Sequence, residues 1–507
     1  MSTSGRVLKN TAFLYLRLGV SLVVSLWTTR IVMNTLGVDN FGIYSLVGGV
    51  VALLGFLNAT LSSSTQRFLN FAEGQKNAER QIKIFNNSFL LHLLLALFLV
   101  GCFSVIGIVC FNGLLSLPKE RIFAAEVVYI CMIVSTLMSV VNVPYESSIN
   151  AHEDMVFYAY VGICEVISKL LIAFAIQVVT YDKLIIYAVL MLVPPFSTFI
   201  IMRIYCHKRY RECRLHIRKY YSKTVLKELG SFAGWNFISS ATGVVTLYGF
   251  NIVINHFFGV VLNAAQGIVT QVSGVLVNVS FNALKALNPI IVKSESVGQR
   301  EKMLYVSLLG CRATFMILTI ISFPLIIYMS HILDWWLKEV PEWTVLFCQL
   351  QLVKICMEMM TYGLSSSIIA HGDIRIYCIL KSAVNVIPLI MTILCFAYGM
   401  QPYWMYINWI IAWGLIGGLL NVVYSHKKVG MSYRDYIETV LLPSIKAVAI
   451  PIVMVVICYL LTESVSLRLI ISLLSWIILL ILSWSCLLTD TERKTLKGYL
   501  MRFKGKI

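Results

Sequence analysis

Eight basic side chains stand inside long apolar runs of this 507-residue chain: Arg17, Arg30, Lys169, Lys285, Arg312, Lys354, Lys381 and Lys446. A charge inside a membrane is costly, so such a group faces protein or water and marks a substrate or ion path. Guanidinium and ammonium groups both hold phosphates, the first as a planar fork and the second as a point charge. Carboxylates in the same runs are few, chiefly Glu165 and Glu358. Each lies four residues from a lysine, Glu165 with Lys169 and Glu358 with Lys354, so either pair can neutralise itself along one helix face. Both glutamates are therefore candidates for ion coupling or for pairing. Arg30 can reach the membrane surface at one end of its helix, and Lys285, Lys381 and Lys446 at the other. Arg17 and Arg312 lie deeper with no carboxylate nearby in the sequence. Cations exceed anions in these runs by about six. That excess predicts a water-filled cavity suited to an anionic substrate, with Arg67, just past the second run, at its mouth.

Amides accompany the charges. Asn34, Asn58, Asn255, Asn263, Gln266, Gln271, Asn278, Asn282 and Asn288 gather in two stretches of the chain. Within a membrane an amide either bonds between helices or lines a polar path. As both donor and acceptor it also suits sugar hydroxyls.

Signatures of catalysis are missing. There is no GxxxxGK[ST] loop for nucleotide hydrolysis and no HExxH. The acidic cluster His152, Glu153, Asp154 reads as a solvated loop. The 13 cysteines are scattered through apolar runs without zinc or CxxC spacing and read as buried structural residues. No cofactor and no metal site is expected, and the chain is not read as an enzyme.

The elements that must position these residues are transmembrane helices. Hydrophobic residues make up 59% of the chain and charged ones 13%, against about 25% charged in soluble domains; mean hydropathy is +0.82. These values exclude a soluble enzyme, a disordered chain, a disulfide-stapled domain and an outer-membrane barrel. Apolar runs predict fourteen spans, near 11–33, 41–63, 88–113, 124–145, 157–180, 184–206, 230–255, 262–288, 303–330, 343–368, 376–398, 403–424, 441–461 and 466–488. The first run, preceded by Arg6 and Lys9, lacks a cleavage site and reads as a retained helix rather than a signal peptide.

The fold class expected is an all-α polytopic membrane protein. Its divisions would be a six-helix bundle over 1–206, a basic cytoplasmic linker over 207–229, a second six-helix bundle over 230–425, and two further helices with a basic tail over 426–507. With the N-terminus in the cytoplasm, 28 Lys and Arg fall in inner connections and 5 in outer ones. This bias places both termini inside. It also assigns the net charge of +17 to loops against anionic lipid rather than to nucleic acid. No outer connection exceeds roughly a dozen residues, which leaves no room for an external catalytic domain.

The halves look like diverged repeats. IVMNTLGVDNFGIYSLVGGVVALLGFLNATLSSSTQRF follows the first span, and IVINHFFGVVLNAAQGIVTQVSGVLVNVSFNALKALNP follows the seventh. Both run from an Ile-Val-x-Asn end through a glycine hinge into a helix rich in Gly and Asn. Parallel repeats of this kind are a transporter plan.

The segment carrying Leu36-Gly37, Asp39, Phe41-Gly42-Ile43-Tyr44 and Arg67 resembles the opening of the polysaccharide biosynthesis and O-antigen flippase family. FFGVVLNAAQGIVTQVSGVLVNVSFNALKALNP is similar to the corresponding second-half stretch of its gut-type bacterial members. The resemblance implies the multidrug/oligosaccharidyl-lipid/polysaccharide exporter superfamily. Its implied fold is two pseudo-symmetric six-helix bundles around a central cavity, plus two C-terminal helices. The implied substrate is an undecaprenyl-diphosphate-linked oligosaccharide, an O-antigen, capsule or exopolysaccharide unit. The implied mechanism is alternating access coupled to an ion gradient, H+ or Na+, in the bacterial cytoplasmic membrane. Membrane lipids and other polysaccharide-assembly proteins are implied partners. Arg67 matches the family pattern; Arg17, Arg30, Arg312 and Lys354 match by depth. A cation-coupled multidrug exporter and a lipid II flippase of the same fold remain alternatives, as does a membrane glycosyltransferase or polymerase.

Overall fold

The computed structural model describes residues 3–52, 55–111, 118–337, 340–490 and 492–494. Expectations on Lys338 and on the basic tail beyond Lys494 lie outside them. The chain divides into two compact units, Lys9–Phe237 and Ile238–Ile507 with Met1–Leu8.

Helices of the first unit are α1 (Thr3–Ala52), α2 (Gly55–Gly74), α3 (Ala78–Val109), α4 (Ile122–Ala151), α5 (Met155–Ala175), α6 (Lys183–Leu190), α7 (Val193–Arg209), the short α8 (Ile217–Tyr220) and the start of α9 (Lys223–Phe258). Caps are where the sequence supplies them. The Asn77 side chain accepts from the Arg80 amide before α3, and Asp182 accepts from the Leu184 and Ile185 amides before α6. The core gathers Val32, Leu36, Val47, Leu99, Phe103, Val128 and Tyr187.

The second unit continues with α10 (Val260–Ser296), α11 (Arg300–Ile327), α12 (Met329–Trp336), α13 (Thr344–His371), α14 (Arg375–Ala397), α15 (Trp404–Trp409), α16 (Gly417–Tyr424), α17 (Tyr433–Tyr436), α18 (Leu442–Leu461) and α19 (Val465–Leu482). Helices α10, α11 and α13 pack on one another, and α18 with α19 packs on α11. Its core holds Phe250, Leu276, Phe347, Met405, Tyr406 and Trp409.

Among the described residues thirteen helices are long and apolar enough to cross a membrane. They match thirteen of the fourteen expected spans. The remaining one, 41–63, runs over residues 53 and 54, outside the described set. The protein is an all-α, multi-pass membrane protein.

The repeat is visible in the backbone. Gly37 kinks α1 at φ 79°, ψ 165°, and Gly259 separates α9 from α10 at φ 81°, ψ −170°. This region of conformational space is open to glycine almost alone. A Cβ at either position meets no atom within 4 Å, so the restriction lies in the backbone and not in packing. Gly37→Ala and Gly259→Ala are each expected to cost about 1–3 kcal/mol, read as a lowered melting temperature in detergent. An unchanged melt for both would show that the hinges tolerate a side chain.

Candidate functional site

In the first unit Arg17 on α1 reaches α5. Its guanidinium lies 4.5 Å from the centre of the Tyr158 ring, a cation–π contact. It also fills the space left by Gly162, one turn further on. A Cβ built there would lie 2.1 Å from Arg17 Nε and 2.4 Å from Cζ. Glu146 on α4 and Glu165 on α5 attract the same guanidinium electrostatically. Glu165 in turn accepts from Lys169 Nζ at 2.7 Å, as the four-residue spacing predicts. Sequence reasoning misses Glu146, near the end of α4, and Arg17 therefore has two acidic neighbours. Gly162→Ala is expected to drive Arg17 off Tyr158, lowering stability by about 1–3 kcal/mol and transport with it. A melting curve identical to wild type would contradict this seat.

Arg67 sits in a box of phenyl rings, with Phe68, Phe71 and Phe232 centred 4.8, 5.5 and 5.0 Å away. Arg30 is exposed.

The end of this unit that holds the α2–α3 and α4–α5 turns is closed by the segment 210–222. It is pinned by side chains of α3. Asn86 bonds the Arg214 carbonyl at 3.3 Å and the His216 amide at 2.8 Å; Asn87 bonds the Tyr220 carbonyl at 2.9 Å and the Ser222 amide at 3.1 Å. His152 completes the attachment. It lies 2.6 Å from Glu212 and 3.4 Å from Glu73, and stacks on Tyr210 at 4.0 Å. Burial by itself lowers the affinity of this imidazole for a proton. Hydrogen bonds to Glu212 and Glu73 outweigh that and raise its pKa to about 9. Because the folded value lies above the unfolded one, the stabilisation is complete below about pH 6.5 and is lost as pH rises through about 9. His152→Ala leaves the buried Glu212 without its partner and is expected to cost about 1–3 kcal/mol. Faster proteolysis within 210–222 would report it, and wild-type protein above pH 9 would approach the same rate. Equal rates would show that the triad does not hold this segment.

In the second unit Lys354 on α13 is buried, with Glu358 3.2 Å away and the rings of Trp409 and Trp413 centred 4.2 and 4.5 Å from Nζ. Trp413 lies on a π-helical turn, Ile410–Ile416; such turns are frequent at functional sites. Trp413 Nε1 donates to the Asn385 carbonyl at 3.3 Å. Lys381 on α14 comes from the other side. Its Nζ faces Gly417, 3.5 Å from where a Cβ would stand. Glu358 attracts Lys381 and Lys354 repels it, yet no carboxylate among the described residues lies within ion-pair distance of it. Counted by residue type, the trio Lys354, Glu358 and Lys381 has one cationic side chain more than it has carboxylates.

Two expectations change. Arg312 is not unmatched: its Nη2 lies 2.9 Å from Glu492, beyond the last span, and Nη1 donates to the Leu487 carbonyl at 3.1 Å. Carboxylates at or beyond the span ends, Glu492 and Glu146, thus offset two of the cations that the sequence leaves unmatched. Lys285 is half-buried and Lys446 exposed.

The amides divide. Gln266 accepts from the buried Tyr406 hydroxyl and so joins helices. Asn278 and Asn282 bond carbonyls of their own helix, Gly274 and Asn278. Asn34, Asn255, Gln271 and Asn278 are exposed, and Asn58, Asn263, Asn282 and Asn288 half-buried. No group of three or more metal-ligating side chains occurs among the described residues.

No family profile matches the sequence, and no curated protein is similar to it at a significant level. Solved structures are similar in fold. One, described as an outward-facing conformation of a multidrug resistance MATE family transporter of the MOP superfamily, aligns over 85% of this chain and 96% of its own, with TM-score 0.73 and 13% identity. Another, described as MATE in the straight conformation, aligns over 85% and 97%, with TM-score 0.73 and 12% identity. A MOP superfamily transporter from Pyrococcus furiosus, described as having a binding pocket of reverse polarity, aligns over 85% and 98%, with TM-score 0.69 and 12% identity. The chain has the MATE-like transporter fold.

Proposed function

We propose that the protein is an alternating-access transporter. It flips an undecaprenyl-diphosphate-linked oligosaccharide from the inner to the outer leaflet of the bacterial cytoplasmic membrane, driven by an ion gradient. The observation that carries this reading is the cationic trio of the second unit. Lys381 offers an ammonium with no carboxylate in contact, and Lys354 is held by tryptophan faces as well as by Glu358. A diphosphate is the ligand such groups favour, and aromatic faces beside them suit sugar rings. A cationic drug would call for carboxylates in excess, and the trio has the opposite balance.

Arg17 and Arg67 are the cations of the first unit in this reading, with Arg30 and Lys285 as further contacts. Asn34, Asn58, Asn255, Gln271, Asn278 and Asn288 supply amides for sugar hydroxyls. Glu165 and Glu358 remain coupling candidates, each already bonded to a lysine it would release on protonation. The excess of Lys and Arg in alternate connections supports both termini in the cytoplasm. The absence of a nucleotide-binding loop is in keeping with a gradient as the energy source.

A deletion strain tests the reading. Complete lipid-linked oligosaccharide should accumulate in the inner leaflet while the surface glycan is lost. A truncated sugar unit would indicate a transferase, and unchanged lipid and glycan would favour drug export.

A further inference from the structure

The contacts around His152 have a counterpart in the second unit. Ala151-His152-Glu153-Asp154 stands where α4 ends, and Ala370-His371-Gly372-Asp373 where α13 ends. Helix α7 ends on Tyr205-Cys206-His207-Lys208-Arg209; α16 ends on Tyr424, followed by Ser425-His426-Lys427-Lys428. The members of both pairs of motifs are separated by the same number of residues. Glu73, near the end of α2, stands as far after Gly37 as Glu295, near the end of α10, stands after Gly259.

The backbone repeats with the sequence. The residue after each histidine is left-handed, Glu153 at φ 57° and Gly372 at φ 100°. So is the third residue after each glutamate, Lys76 at φ 52° and Gly298 at φ 74°. The Lys76 amide donates to the Glu73 carbonyl at 2.9 Å, and the Gly298 amide to the Glu295 carbonyl at 3.0 Å. Glycine adopts this conformation freely, whereas lysine and glutamate do so at a cost. Such a residue persists where its surroundings over-determine it.

Those surroundings are the same contacts made twice. His152 Nδ1 lies 3.4 Å from Glu73, and His371 Nδ1 lies 3.1 Å from Glu295. Two residues beyond each histidine, an aspartate meets the tyrosine of the helix-end motif. The Tyr205 hydroxyl donates to the Asp154 carboxylate, and the Tyr424 hydroxyl to the Asp373 carbonyl at 3.0 Å. The base four residues after each tyrosine turns back to the same place. Arg209 stands 5.7 Å from the centre of the Tyr205 ring, and Lys428 Nζ 3.3 Å from the Asp373 carboxylate. The additions to this frame differ. Glu212 meets the other ring nitrogen of His152 in the first unit, and Arg300 lies 2.6 Å from Glu295 in the second. Attachment of the segment 210–222 is therefore particular to the first unit, and the Glu–His and Asp–Tyr contacts answer a need that both units share.

We propose that Glu73 with His152, and Glu295 with His371, are equivalent positioning pairs. One joins the ends of α2, α4 and α7 that bear the α2–α3 and α4–α5 turns. The other joins the corresponding ends of α10, α13 and α16. Alternating access between repeats works largely by rigid-body motion, and each pair keeps these three helix ends together as one body through the cycle. In both units a glycine hinge precedes the stretch of chain that the clasp closes, so bending belongs to the hinge and not to the clasp. The inference rests on the alternating-access part of the proposed function.

Covalent closure of the clasp is the functional test. Full-length Glu73→Cys/His152→Cys and Glu295→Cys/His371→Cys, each with the exposed Cys164 replaced by Ser, are placed in vesicles with undecaprenyl-diphosphate oligosaccharide. Flipping is measured before closure with a short, cleavable bifunctional thiol reagent, after closure, and after cleavage. Before closure each variant should flip about tenfold more slowly than wild type, the worth of one charge-assisted hydrogen bond. Closure should restore most of the rate, and cleavage should remove it again. Flipping that stops on closure would overturn the proposal, because the ends would then have to separate. Wild-type flipping before closure, or an effect confined to one unit, would overturn it too. Thermal melts of Glu295→Gln, His371→Gln and the double variant read the pair without any substrate. The double variant should cost less than the two single ones together, and strict additivity would overturn the clasp. Failure of wild type to flip the lipid, with non-additive melts, would refute the substrate reading and leave the clasp standing.

Discussion

Lys381→Glu should reduce export at least about a hundredfold. A charged hydrogen bond to a phosphate is worth about 1.5–3 kcal/mol, and each 1.4 kcal/mol is about tenfold in affinity. Reversal adds a repulsion to that loss. It places two carboxylates, the new one and Glu358, beside Lys354, and turns the trio from net positive to net negative. Lys381→Gln should fall between, at about tenfold, and Lys381→Arg should retain most activity if the longer head fits against Gly417. Lys381 has no carboxylate in contact, so its replacement orphans no buried anion, and membrane levels of all three variants should match wild type. Export by Lys381→Glu at the wild-type rate would remove this trio from the substrate path.

Arg312→Ala should act in a different way, through stability. Arg312 is buried, and the carboxylate it meets belongs to a well-built helix start. Glu492 accepts from the Thr489 amide at 2.8 Å, and the Glu492 amide donates to the Thr489 hydroxyl at 3.4 Å. This is the capping box that the sequence Thr-Asp-Thr-Glu encodes. Tyr305 donates to the same carboxylate at 2.8 Å. The arginine thereby staples α11 to the chain that follows α19. Breaking a buried pair by removing one partner costs about 3–5 kcal/mol. The double variant with Glu492→Gln should recover part of that, because no bare charge is left. Thermal unfolding in detergent measures both. Export per folded molecule should stay near wild type in Arg312→Ala. Unaltered stability with abolished export would return Arg312 to the substrate path.

The sequence made local relations legible and long-range ones opaque. The hinge glycines could be read because Gly37 and Gly259 each follow an Ile-Val-x-Asn end and the backbone there needs glycine. Glu165 with Lys169 and Glu358 with Lys354 could be read because a four-residue spacing puts them on one helix face. Thirteen spans could be read because lipid demands long apolar helices. Arg312 with Glu492 could not, since 180 residues separate them and only packing joins their helices. The same holds for Arg17 against Tyr158 and Gly162, and for Lys354 against Trp409 and Trp413. The segment 207–229 reads as a basic linker, and nothing in its composition announces that Asn86 and Asn87 hold its backbone.

The most direct measurement is lipid translocation by the purified protein. Vesicles carrying the protein and a labelled undecaprenyl-diphosphate oligosaccharide on one leaflet would be given a pH gradient, and label on the opposite leaflet followed in time. Gradient-dependent appearance of label, lost in Lys381→Glu, is the predicted result. Equal appearance with and without protein, in vesicles where a cationic drug is transported, would contradict the account.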